Sequence, residues 1–171
     1  IFPKKENLEK WSNLDNKKLF NIGIAWQAGN NEDTYERSVP IKFFNKLTCL
    51  KKIQLISLQP KKFIKDFKQN HKLYKDIIFL EEMDKEYKFV DTSAIISNLN
   101  MVISIDTAVA HLSAAMNKET WIALSYNHDW RWGLKKMKSH WFYCKNGGGT
   151  AFRHRLGRIF GTTYGTLFKL H

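Results

Sequence analysis

Five short apolar runs, rich in β-branched residues, recur along this chain with helix-like or turn-forming stretches between them. They are "LFNIGIAW" (residues 19–26), "KIQLISLQ" (52–59), "DIIFLE" (76–81), "MVISI" (101–105) and "TWIALS" (120–125). Each is too short for a core helix and too uniformly apolar for a strand with one wet face, so each reads as a strand buried on both faces. Between them, Pro40 opens "IKFFNKLTCL", with Ile41, Phe44, Leu47 and Leu50 on one helical face. Pro60 opens a second helix to about residue 70, "DTSAIISNL" reads as a helix capped by Asp91, and "TAVAHLSAAM" as a helix of small residues. Strands alternating with helices in this way predict an α/β fold: a Rossmann-like, doubly wound parallel sheet of about five strands.

The remaining sequence sets the boundaries. Residues 1–18 read as a lead-in helix or linker, with Leu8, Trp11 and Leu14 at helical spacing, and 19–143 as the sheet domain. Residues 144–171 break the pattern, holding six of the nine glycines and no acidic residue. All 16 acidic residues precede Arg131, whereas nine of the 28 basic ones lie from Arg131 onward, so the net charge of +12 belongs mostly to the last quarter. That end reads either as a sequence of different origin, such as a shifted frame, or as a basic extension that binds anions, and it is expected to pack poorly. With a nearly balanced body, nucleic-acid binding is not expected of the whole chain. Cys49 and Cys144 have no metal or redox spacing and read as free thiols of a reducing cytoplasm. No run reaches the roughly 18 apolar residues of a membrane span. The first residues are charged where a signal peptide is apolar, and the chain, which lacks an initial Met, is expected to be part of something longer.

In an open parallel sheet, ligands bind beyond the carboxyl ends of the strands. The segment arriving there with most chemistry is "SIDTAVAH" (104–111). The backbone N–H groups of Thr107, Ala108 and Val109 lie at the start of a helix, where they are unpaired and sit in its positive end, which favours a phosphate. Ala108 is small enough to let a ligand approach the backbone. Asp106 reads either as an N-cap or as an acceptor for sugar hydroxyls, and His111 either as a buried, hydrogen-bonded histidine or as a base. Arg37, the lone arginine before residue 131, lies in the long loop after the first strand and suits a diphosphate, although a solvated loop charge has the same sequence. In that loop Gly29 permits a tight turn or close backbone approach. Trp26 is a core aromatic or a stacking surface. Gln59 shapes a turn or reads a nucleotide edge. Asp129 and Trp130, in "NHDWRWG", form a pocket wall or a structural corner. The histidines lack metal-ligand spacing, and no Asp-any-Asp element, Walker loop, GxGxxG or nucleophile elbow is present. Neither a metal nor a cofactor is expected.

Taken together, "IGIAWQAGNNEDTYERSVPIKFFNKL", "LISLQ" and "DTSAIISNLNMVISIDTAVAHLSAAMNKETWIALSYNHDWRWG" resemble the C-terminal half of glycosyltransferase family 9, the heptosyltransferase family. The likeness covers residues 1 to about 143 and is greatest to members fused behind tetratricopeptide repeats. The order "D-T-x-x-x-H-L-x-x-A" followed by "DWRW" carries it. The resemblance implies the GT-B fold, two Rossmann-like halves facing across a cleft, of which this would be the nucleotide-sugar donor half. It implies that Asp106, Thr107 and Ala108 hold donor phosphate and sugar, that Arg37 contacts phosphate, and that Gln59 lies near the nucleotide. On this resemblance the residues given would lack the N-terminal half, which brings the acceptor site and the expected catalytic base, and the repeats, and the glycine-rich tail would stand where the usual C-terminal end is expected.

The resemblance further implies an inverting, metal-independent sugar transfer to a glycan, lipid-linked or protein acceptor. This chain would supply donor binding and little or no turnover alone. The alternatives are a non-catalytic nucleotide-sugar binding module using the same pocket, or a basic RNA-binding protein driven by the tail.

Overall fold

The computed structural model describes residues 2–15, 18–28, 37–48, 50–59, 64, 71–85, 89–124 and 151–155. Among these residues all strands are parallel, in a six-stranded sheet. β1 is Phe20–Ala25, β2 Ile53–Ser57, β3 Ile77–Ile78, β4 Met101–Ile105, β5 Thr120–Leu124 and β6 Ala151–Arg155. Their order across the sheet is β3-β2-β1-β4-β5-β6. The Rossmann-like α/β class expected from the sequence is the class observed. The difference is the sixth strand, which pairs Thr120 with Ala151 through Leu124 with Arg155. It lies inside the segment set apart as a tail; the other residues of that segment fall outside the described ones. Among the described residues, no helix is long and apolar enough to cross a membrane.

The near-continuous apolar strands are explained by cover on both faces. On one face Ile22, Ile24, Leu55, Met101, Ile103 and Ile105 pack with Ile41, Phe44 and Leu47. These last three come from a 3-10 turn over Ile41–Phe43 followed by the short helix α2, Asn45–Thr48. The periodicity that predicted one helix here holds through Leu47 but not to Leu50, which is 37% exposed. On the other face Ala25, Ile56 and Val102 pack with Trp11, Leu14, Ala94, Ile95, Ile96 and Leu99. Those residues belong to α1 (Lys5–Lys10), the 3-10 turn after it (Ser12–Leu14) and α3 (Val90–Ser97), or lie just beyond their ends. Helix α3 is buried from Asp91 to Ile96 because α1 covers it from outside. Gly23 lies beneath its C-terminal end, where a Cβ would come within 2.5 Å of Leu99 Cδ1 and 2.8 Å of Leu58 Cδ1. The helix expected from Pro60 to residue 70 lies outside the described residues.

Asp91 does not cap α3, contrary to the sequence expectation. The helix starts at Val90, after Phe89 in the left-handed region (φ 66°), so Asp91 is already within the first turn. The cap comes from Asp84: its Oδ1 accepts from the N–H groups of Asp91 (2.8 Å) and Thr92 (3.3 Å), and its Oδ2 accepts from the Thr92 hydroxyl. Asp91 faces the lead-in helix instead. Its carboxylate accepts from the Trp11 indole (2.7 Å), Lys10 Nζ (3.1 Å) and the Asp84 amide (3.0 Å). Burial, the largest single influence, would raise the Asp91 pKa. The bonds from Trp11, Lys10 and Asp84, with the Lys10 charge, together outweigh it and hold the carboxyl below its ordinary value. At the far end of α3, Lys118 Nζ donates to the carbonyls of Ser97 (3.2 Å) and Leu99 (2.5 Å). Burial lowers the pKa of this ammonium, against the opposing pull of Asp15.

Candidate functional site

The strand order reverses between β1 and β4: from β1 the chain first adds strands on one side, and β4 then opens the other side. At such a switch point the loops beyond the two carboxyl ends diverge and leave a crevice. β1 and β4 run side by side up to Ala25 and Ser104. The residues placed at the crevice are therefore those following Ala25 and those following Ser104.

After β4 the chain makes one tight turn into α4, Ala108–Ala115. Thr107 is the N-cap residue, extended at φ −141° and ψ 168°, yet no side-chain hydrogen bond caps the helix. Its carbonyl accepts from Ala110 N (3.0 Å) and His111 N (3.4 Å). No bond among the described residues occupies the amides of Ala108 and Val109. Ala108 is exposed and Val109 buried. The Asp106 side chain is only 10% exposed, and His111 stands beside it, with Nε2 at 3.7 Å from Oδ1 and the imidazole 40% exposed. That separation exceeds a hydrogen bond. A secluded carboxylate short of donors therefore sits beside two open amides. Such a turn can take an anion on the amides and hydroxyl groups on the carboxylate.

After β1 the backbone is pinned. Gln59 Oε1 accepts from the amides of Trp26 (2.7 Å) and Gln27 (2.9 Å), and its Nε2 donates to the Gln27 carbonyl (2.6 Å). Ser57 fixes the turn that presents this side chain, donating to the Gln59 carbonyl (2.7 Å) and accepting from its amide (3.1 Å). The side-chain amide of Gln59 is thus turned onto β1-loop backbone, as a turn-shaping role requires. Trp26 is 3% exposed, its ring centroid 6.0 Å from that of Tyr74 and 6.4 Å from that of Phe79. It packs among the core aromatics. Val39 N donates to Trp26 O (2.8 Å) and Ala28 N to Ser38 Oγ (3.0 Å). These two bonds close the loop at its neck, next to Arg37, which is half-buried. Gly29, Asp129 and Trp130 lie outside the described residues. Among the described residues no cluster of His, Cys, Asp or Glu is arranged to hold a metal.

Two contributors were missed from the sequence. Asp84 reads there as one more charge in "EEMDKEY". Ser104 reads as a neutral member of a strand, although a polar residue at the end of an apolar run is the one signal that it shapes the turn beyond.

No protein-family model and no curated protein matches the chain. Among solved structures it is similar to the crystal structure of the glycosyl transferase family 9 from Veillonella parvula DSM 2008. The TM-score is 0.55 at 9% identity, over 91% of this chain and 42% of that one. The chain thus spans less than half the length of that protein, and across that span it has the α/β fold of a family 9 glycosyl transferase structure.

Proposed function

We propose that this chain is the donor-binding half of an inverting, metal-independent glycosyltransferase that uses a nucleotide-diphosphate sugar. The observation that carries the proposal is the β4–α4 turn, where open amides and a donor-poor, secluded carboxylate meet at the switch point of the sheet. The amides of Ala108 and Val109, with the positive end of α4, suit the diphosphate. Asp106 suits sugar or ribose hydroxyls, and the Arg37 guanidinium adds charge from the neck of the β1 loop. Held in these positions, the same groups stabilise the diphosphate as it leaves the anomeric carbon. The base that deprotonates the acceptor hydroxyl would come from a facing half. The acceptor would be a glycan, a lipid-linked sugar or a protein, and tetratricopeptide repeats would accompany the chain. The likeness in fold to a family 9 structure supports the same reading.

The test is calorimetric titration of the chain with ADP-, UDP-, GDP- and dTDP-sugars, beside Arg37→Ala and Asp106→Ala. One donor is expected to bind, and each substitution to weaken it about tenfold, or roughly 1.4 kcal/mol. A folded chain that binds none of the four overturns the proposal. Robust sugar transfer by the chain alone overturns the assignment of the base to another half.

A further inference from the structure

Thr107 occupies the N-cap position with the extended backbone of a capping residue, and threonine is a favoured cap. Its hydroxyl nevertheless makes no bond to α4. It lies 3.0 Å from Ser104 Oγ and 3.4 Å from the Ile105 carbonyl, on the strand side of the turn. Ser104 is fully buried, and its single hydroxyl hydrogen goes to the Ile105 carbonyl at 2.8 Å. Either oxygen can donate in the contact between the two hydroxyls; with the Ser104 hydrogen on the Ile105 carbonyl the donor is Thr107, and in both cases the side chain that would close the first turn is held away from it. Next to that turn stands the Asp106 carboxylate, nine-tenths buried and with no hydrogen bond among the described residues. Among the described residues the two amides make no bond, and the carboxylate has only the 3.7 Å contact to His111 Nε2, an arrangement that suits a ligand carrying both an anion and hydroxyls.

We infer that Ser104 is a positioning residue: it draws the Thr107 hydroxyl onto β4 and so keeps the amides of α4 open for the ligand's phosphate. The inference rests on the donor-site proposal above and names the residue that keeps that site free. Without Ser104, the Thr107 side chain can rotate to cap its own helix, and an incoming phosphate must displace it. Replacing Ser104 should then weaken phosphate binding while leaving the fold as stable as before or more so. A residue that only holds the turn together would lower both.

The experiment is a double-mutant cycle on the 171-residue chain with Ser104→Ala, Thr107→Val and the pair. ADP, UDP, GDP and dTDP serve as probes by calorimetry, and thermal unfolding is recorded for each variant. Ser104→Ala is expected to bind the preferred diphosphate about fivefold more weakly, the factor set by a cap of ordinary strength, with an unchanged or higher midpoint. In the Thr107→Val background, where no hydroxyl is left to cap, adding Ser104→Ala should change affinity by less than about twofold. Equal losses in both backgrounds, or a Ser104→Ala variant that binds as the parent does, overturn the inference. So does a fall in midpoint of several degrees, or loss of the fold, in Ser104→Ala. Ser104→Thr guards against an effect of mere packing, since it keeps the oxygen and should restore at least half of the lost affinity; failure to do so counts against the inference. If the parent chain binds no diphosphate, both this inference and the donor-site proposal fall. If the parent binds, and Arg37→Ala and Asp106→Ala weaken it while Ser104→Ala does not, this inference falls alone.

Discussion

Gln59 distinguishes a residue that reads a ligand from one that builds the place where the ligand sits. Its side chain makes three bonds of 2.6–2.9 Å to the backbone of Trp26 and Gln27, across more than thirty residues of sequence. Gln59→Ala removes all three. Trp26 is 3% exposed, so its amide loses its partner where water reaches poorly, at a cost of about 1–3 kcal/mol. Gln27 is half-buried, and water can replace its two bonds at a cost of roughly 0.5–1 kcal/mol together. The sum is about 1.5–4 kcal/mol, which for a chain of this size lowers the unfolding midpoint by roughly 3–16 °C. Gln59→Glu should be nearly as damaging. It keeps an acceptor for the two amides but sets a second oxygen against the Gln27 carbonyl. Urea unfolding gives the stability, and titration with ADP, UDP and GDP well below the midpoint gives the affinities. A clamp weakens all three nucleotides by a common factor, because it acts through the loop that leads to Arg37. A change in their order, or a stability loss under about 0.5 kcal/mol, would show that Gln59 touches the base and that its bonds to the β1 loop are incidental.

Two other substitutions probe the frame behind the site. Asp91→Ala should cost about 2–4 kcal/mol at pH 7, since it strands the Trp11 indole N–H in the core as well as the Asp84 amide. Because the folded-state pKa of Asp91 is lowered, its stabilisation is complete above the ordinary carboxylate value near 4 and is lost as pH falls through the folded value. The difference between parent and variant, followed by urea unfolding, should therefore shrink below about pH 4; a constant difference down to about pH 2 would contradict this account. Gly23→Ala drives a methyl group against Leu99 and Leu58, both buried, and should cost about 1–3 kcal/mol by the same measurement. A neutral outcome would mean that the end of α3 yields more easily than its packing indicates.

The strands were legible because burial on both faces writes itself as unbroken apolar runs: "MVISI" is β4 residue for residue, and "TWIALS" holds β5 in all but its last residue. The sheet order was less legible, since pairing between distant strands leaves no local trace. The start of α3 was misread for a related reason. Asp91 has the chemistry of a cap and precedes a helical run, but the cap comes from Asp84, seven residues earlier, whose own amide bonds back to the Asp91 carboxylate. A local capping rule cannot see a partner that folding brings from outside its window. "SIDT" was legible as a turn at a helix start, because residue type and position coincide there. That Thr107 turns its hydroxyl away from the helix was not, because rotamer choice depends on a neighbour, Ser104, that belongs to the strand.

Elsewhere this fold spends its polar side chains on one another. Asp84 and Asp91 hold the start of α3 with Trp11 and Lys10, and Lys118 closes its end. Within α4, Ser113 bonds the carbonyls of Val109 and Ala110 and receives a bond from Thr120. Among the described residues two buried oxygens accept no hydrogen bond, Asn21 Oδ1 at the opposite end of β1 and Asn45 Oδ1 at the start of α2. At the β4–α4 turn several groups are open at once, and they differ in kind: donors from the backbone and an acceptor from Asp106. On the donor-site proposal, their meeting at the switch point of the sheet serves a ligand with complementary groups. A diphosphate carrying hydroxyl-bearing sugars meets that description, with phosphate oxygens for the amides and hydroxyls for the carboxylate. A bare phosphate would satisfy only the amides and leave Asp106 as a repulsive neighbour. Inorganic phosphate should therefore bind the turn far more weakly than a nucleotide sugar, and neutralising Asp106 should strengthen the first while weakening the second. Calorimetry of Asp106→Asn with each ligand checks this, and a variant that weakens both alike would refute the division of labour between amides and carboxylate.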